Sequence, residues 1–152
     1  MTQMVTVDDM KIGLRATFRT VIDQDRIDAY ADVAEDHNPI HVDAEYAAGT
    51  RFGTTIAHGM LVAGFFQHPL TELVTPGGVS TKYEIRMMAP VPPGTEIEAF
   101  AECVAIDTER RRATSSIIVL QTTSKRYCIK GACYCGSLQV LERAKRSTPV
   151  IL

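Results

Sequence analysis

The stretch Ile56-Ala57-His58-Gly59-Met60-Leu61-Val62-Ala63-Gly64-Phe65-Phe66 decides how this chain folds. Met60, Leu61, Val62, Ala63, Phe65 and Phe66 make it apolar on nearly every side, which predicts a helix buried all round rather than one lying on a surface. The helical segment is expected over 57–74. Pro69 should kink it or end its first part, because proline lacks the N–H of a helical rung and crowds the carbonyl four residues back. Gly64 predicts that something packs closely there. The run is too short to span a bilayer and carries His58.

Outward from this segment the pattern changes on both sides. Upstream, 16–22 alternates as a first strand, and Asp23 then caps a helix from Gln24 to about Glu35. Ile27, Tyr30, Ala31 and Ala34 form its apolar stripe. Asp43 caps a short turn over 44–48, closed by Gly49, and 50–55 is a second loop. Downstream, Pro76-Gly77-Gly78 makes a turn, and strands follow at 79–89, 95–107, 112–122 and 128–141, the last with bulges expected at Gly131 and Gly136. Residues 142–152 read as a loose tail. One strand, a buried helix and then long antiparallel strands predict an α+β fold in a single domain, the sheet wrapped around the helix. Its edge strands predict pairing between subunits, hence a dimer.

With 152 residues, 45% of them hydrophobic and 22% charged, the chain has enough material for a proper core. A net charge of −2 argues against a nucleic-acid partner, which asks for a basic excess. The opening Met1-Thr2-Gln3-Met4-Val5-Thr6-Val7-Asp8-Asp9 has no basic start and no apolar run, so no secretory signal is expected. The four cysteines, Cys103, Cys128, Cys133 and Cys135, contain no C-x-x-C pair and read as reduced thiols of a cytoplasmic protein. Cys133 and Cys135 share one strand face, but no second cluster completes a zinc site, so buried structural thiols are expected. The basic groups at 110–112, 125–126 and 143–146 read as solvated hairpin tips and tail, any one of which could meet the phosphates of an anionic substrate.

The chemistry concentrates in Asp36-His37-Asn38-Pro39-Ile40-His41-Val42-Asp43. In an unbroken helix Asp36 and His41 would lie roughly 140° apart around the axis. Pro39 removes a donor and disfavours helical geometry at Asn38, so 36–42 is expected as an extended loop that turns carboxylate and imidazole towards one small volume. That pair reads as an acid/base couple, and equally as ordinary loop residues capping turns. Asn38 is placed to orient the loop through bonds to backbone. If a helix begins near His58, the Gly59 N–H is unpaired at the positive end of the helix dipole, where a carbonyl gaining negative charge would be stabilised. Tight packing is the other reading of Gly59. His58 is expected to make local hydrogen bonds at the helix start. His37 and His41 stand at i and i+4, but Pro39 breaks the helix that would align them, so no metal is expected.

The two-part pattern Asp36-x-Asn38-Pro39-x-His41-x-Asp43 and His58-Gly59-Met60-Leu61 resembles the hydratase motif of MaoC-like (R)-specific enoyl-CoA hydratases. The Tyr30-Ala31 helix and the strands over 79–141 fit the same family, so the resemblance covers nearly the whole chain. It implies a hot-dog fold, an antiparallel sheet around a long central helix, as a homodimer or higher oligomer of dimers with sites at or near the interface. It implies reversible addition of water to a trans-2-enoyl-CoA, giving an (R)-3-hydroxyacyl-CoA, with no metal or redox cofactor and the CoA or carrier-protein thioester as substrate. No nucleic acid or membrane enters. Asp36 and His41 match the couple that activates the water, Gly59 the amide that meets the thioester oxygen, and Asn38 a residue supporting the loop. Gly64, where relatives often carry a small hydroxyl residue, departs from the pattern, as does the strand holding Tyr127, Cys128, Cys133 and Cys135.

Hydration needs a base for the water, an acid for the α-carbon and help for the charge on the thioester oxygen. An imidazole such as His41 suits the first task near neutral pH. Asp36 suits the second if the fold buries it in part. An acyl-CoA thioesterase of the same architecture is the alternative, although residues 59–67 hold no carboxylate. A non-catalytic acyl-binding subunit is the other.

Overall fold

The computed structural model describes residues 9–74 and 78–137. Strand β1 (Arg15–Ile22) alternates exposed and half-buried side chains up to the fully buried Ile22. It feeds α1 (Gln24–Ala34), whose N-terminus is capped by the Asp23 carboxylate accepting the Arg26 N–H at 3.0 Å. Ile27 and Ala31 face the core, but Ala34, expected in the apolar stripe, is exposed. The helix is already ending there: Glu35 turns left-handed, with φ 54°, and its N–H returns to the Ala31 carbonyl.

The extended loop expected over 36–42 is extended only in its first half, because Pro39–Val42 forms a helical turn, α2. Proline suits the first position of a helix, where its missing N–H would have had no partner and its φ is preset. Asn38 does stay out of helical geometry, and its side chain accepts the Ile40 N–H at 3.2 Å. α3 (Ala44–Ala48) follows, capped by Asp43 and closed at Gly49 as expected.

The central segment is divided, as Pro69 predicts, into two helices, α4 (Gly59–Gly64) and α5 (Gln67–Val74). The break falls at 65–66, one turn ahead of Pro69, which cannot donate to the Phe65 carbonyl and whose ring crowds it. The Phe66 N–H bonds instead to Ala63 at 3.0 Å, in a tightened turn. Helix α4 is not buried all round: Val62 and Ala63 are buried, whereas Met60 and Gly64 are exposed. No described atom lies within 4 Å of where a Gly64 Cβ would stand, so the close neighbour expected there is not found among the described residues.

Strands β2 (Gly78–Met87), β3 (Thr95–Asp107), β4 (Arg112–Gln121) and β5 (Tyr127–Ser137) join β1 in one antiparallel sheet, in the order β1-β3-β4-β5-β2. α5 packs across β1, β3 and β2, and α4 touches β5. The core lies between them, with Ile97, Ile117 and Ile129 of the sheet against Val62, Phe66 and Leu70 of the helices. The bulges are not at Gly131 and Gly136, which stay in register opposite Ile85 and Val79. They fall at Cys128, Thr81 and Val104. Gly131 has a different reason: β2 runs so close that a Cβ there would press on the Glu84 carbonyl oxygen. All four cysteines are free and buried.

The turn expected at 76–78 lies largely outside the described residues. The end of the last expected strand and the tail with its basic group at 143–146 lie wholly outside them. Among the described residues no helix is long and apolar enough to cross a membrane.

Candidate active site

The loop after α1, the turn α2 and the residue before α4 converge. One donor atom each from Asp36, His41 and His58 lies within 4.8 Å of the other two. His41 Nδ1 is 2.7 Å from the Ile56 carbonyl oxygen. A carbonyl only accepts, so Nδ1 carries the hydrogen and Nε2 is left as a free acceptor. The Ile56 N–H in turn donates to the Ile40 carbonyl at 3.2 Å, which ties the two halves of the motif together by backbone. The Asp36 carboxylate accepts the Asn38 N–H at 3.3 Å, and its side chain is 56% exposed. The partial burial that an acid role asks of Asp36 is therefore not supplied by this chain alone.

His58 does not make the local bonds expected of a helix-start residue. It occupies the N-cap of α4 without a side-chain cap bond, and its Nε2–H donates to the backbone carbonyl of Asp36 at 2.9 Å. The ring is buried, and it lies against His41 with centroids 3.7 Å apart and planes 30° from parallel. Tyr30 of α1 closes on it at 5.0 Å. The other histidines are elsewhere, His37 beside Asp32 at 3.0 Å and His68 beside Glu72 at 3.3 Å.

Three such donors invite a metal, but their orientation does not suit one. A ligating imidazole points its lone pair in the ring plane at an ion about 2.0–2.1 Å away. Here His41 Nδ1 and His58 Nε2 are already turned to backbone carbonyls, and the remaining lone pairs belong to two rings with centroids only 3.7 Å apart.

In front of His41 opens a cavity of about 320 Å³, lined by Gly59, Phe52, Ile56, Met87 and Ile129 among others. Gly59 is the first residue of α4, where helix geometry leaves the N–H without an intrahelical partner. Arg51 and Phe52, which the sequence places in a connecting loop, also line the cavity, the guanidinium 4.8 Å over the ring. A cation beside an aromatic, lodged between the two halves of a motif, was the available signal. Asp36 is not among the lining residues, although it lies within the same cluster as His41.

The model of the MaoC like domain matches residues 5–125. The chain belongs to that family. It is 36% identical over 107 residues to the 3-hydroxybutyryl-CoA dehydratase of Methylorubrum extorquens, a match covering 70% of this chain and 68% of that one. It is 35% identical over 108 residues to the (R)-specific enoyl-CoA hydratase of Rhodospirillum rubrum, covering 70% and 75%. Among solved structures, an (R)-hydratase from A. caviae involved in PHA biosynthesis superposes with a TM-score of 0.79 at 26% identity, covering 84% of this chain and 96% of that one. The fold is thus the hot-dog arrangement that the resemblance implied. Family membership places this MaoC-like chain among hydratases and dehydratases.

Proposed function

We propose that this protein reversibly hydrates a trans-2-enoyl-CoA, or the carrier-protein thioester, to the (R)-3-hydroxyacyl product, without a metal or redox cofactor. The observation that carries the reading is the His41 imidazole, held by its Nδ1 bond to Ile56 with Nε2 left free, clustered with Asp36 and lining one cavity together with Gly59. His41 Nε2 takes a proton from water as the oxygen adds to the β-carbon. Electron density moves through the double bond to the thioester oxygen, which accepts the Gly59 N–H. Asp36 helps hold the water, and the proton that His41 took is handed on through the pair to the α-carbon, which restores the carbonyl and returns both groups to their starting states. Asn38 holds the loop through its bond to Ile40.

Crotonyl-CoA tests the proposal. Hydration removes the conjugated absorbance without freeing thiol, and chiral analysis of the product should give the (R) alcohol. Thiol release would instead mean a thioesterase, and no reaction a non-catalytic acyl-binding subunit. Asp36→Asn and His41→Ala should each lose about 10²–10⁴-fold in turnover with an unchanged melting temperature. Near-full activity in either removes the couple from the mechanism.

A further inference from the structure

We infer that His58 is a positioning residue that sets the Asp36–His41 couple through two contacts of one ring, an inference resting on the catalytic reading of that couple. The edge of the ring donates from Nε2 to the Asp36 backbone carbonyl at 2.9 Å, and its face lies 3.7 Å from the His41 ring. Asp36 sits in the loop after α1 and His41 in α2, so neither helix by itself determines the distance between them. His58, at the start of α4, touches both.

Three features separate this from plain packing. His58 is 3% exposed and its Nδ1 is buried with no hydrogen-bond partner, an arrangement less favourable than an apolar side chain of similar shape would give. Both contacts go to the two motif residues rather than to the apolar core. His58 is absent from the cavity lining, and its polar and ring contacts go to the couple. The titratable groups facing its ring among the described residues are Tyr30, Asp36 and His41, each at the site.

The two contacts are separable by substitution. His58→Gln keeps an N–H near the place of Nε2 but removes the flat face. His58→Phe keeps the face but removes the donor, and His58→Leu removes both. The first two should each lower kcat about tenfold, and His58→Leu about a hundredfold, the scale of an ångström-sized misplacement, with KM within about threefold of wild type. A role confined to packing would lower the melting temperature and leave the kcat of the folded fraction intact, and that result overturns the inference. Asp36→Asn and His41→Ala run alongside. If they are inactive while His58→Leu turns over normally, the inference fails and the function stands. If they stay active, it is the function that fails. Should the His58 variants not fold, ¹⁵N spectra of the wild-type imidazoles decide, with hydrogen on Nε2 of His58 and on Nδ1 of His41 expected. Hydrogen on Nδ1 of His58 overturns the inference.

Discussion

Met87, at the end of β2, lies over Gly59, at the start of α4, in the place that a Cβ on residue 59 would take. The sulfur of a flexible, half-exposed side chain is the obstacle, not backbone, so it can be moved. Gly59→Ala should reduce turnover about tenfold or more by crowding the thioester against the amide. Adding Met87→Ala relieves the contact between the side chains and separates the two roles of Gly59. If the glycine serves only to admit Met87, the double variant regains full activity. If its N–H serves the substrate, the double variant folds normally and stays slow, as steady-state kinetics on crotonyl-CoA will read.

Chelation is expected to do nothing. His41 Nδ1 and His58 Nε2 each face a backbone carbonyl, which leaves the pair poorly set to share one ion. Exhaustive dialysis against EDTA should leave hydratase turnover unchanged, and a loss restored by added zinc would contradict a metal-free Asp36–His41 couple.

Two glycines of β5 make a matched pair. Gly131→Ala forces a methyl against the Glu84 carbonyl, a rigid backbone atom, and should cost about 1–3 kcal/mol. At Gly136 the nearest atom to a new Cβ is Thr81 Cγ2 at 3.8 Å, an ordinary contact, so Gly136→Ala should stay within about 0.5 kcal/mol of wild type. Urea midpoints measured at constant slope test the contrast.

Stability should depend on pH through the thiols of Cys133 and Cys135, whose sulfurs are 3.3 Å apart. The hydrogen bond from Cys135 holds the Cys133 thiol down, at about 7 against an ordinary 9.0, although burial opposes it. The same hydrogen bond, and then burial, push Cys135 up. Cys133 thus holds its proton less tightly when folded. Its contribution is full above the unfolded value and is lost as pH falls through about 7. Cys135 has the opposite sign: its contribution is present below the unfolded value and declines as pH rises beyond it. Denaturation midpoints should therefore climb from about pH 7 towards 9 and then turn down. Cys133→Ser should flatten the climb, and an unchanged profile in that variant would refute the assignment.

Much of this architecture could be read before any coordinates. The strand expected at 95–107 is β3, and the caps at Asp23 and Asp43 are where their spacing put them. These features depend on partners within a few residues or on an alternation that one buried face imposes. The family motif was equally visible, because its residues are adjacent in the chain. The helical turn at Pro39–Val42 departs from the expected extended loop for a local reason too: a proline that reads as a breaker stands here at a first helical position.

Sequence alone thus determined the strands and their order, the helix caps and which residue types gather near the site. Tertiary structure decided the rest: that His58 reaches back to Asp36, that Ile56 selects the tautomer of His41, and that Arg51, Phe52, Met87 and Ile129 close one cavity. It also decided that Gly131 answers to the neighbouring strand rather than to a bulge. Each of these is a contact between segments distant along the chain. Hydrophobic periodicity brings such segments to the same side of a sheet, and only packing determines which atoms then meet.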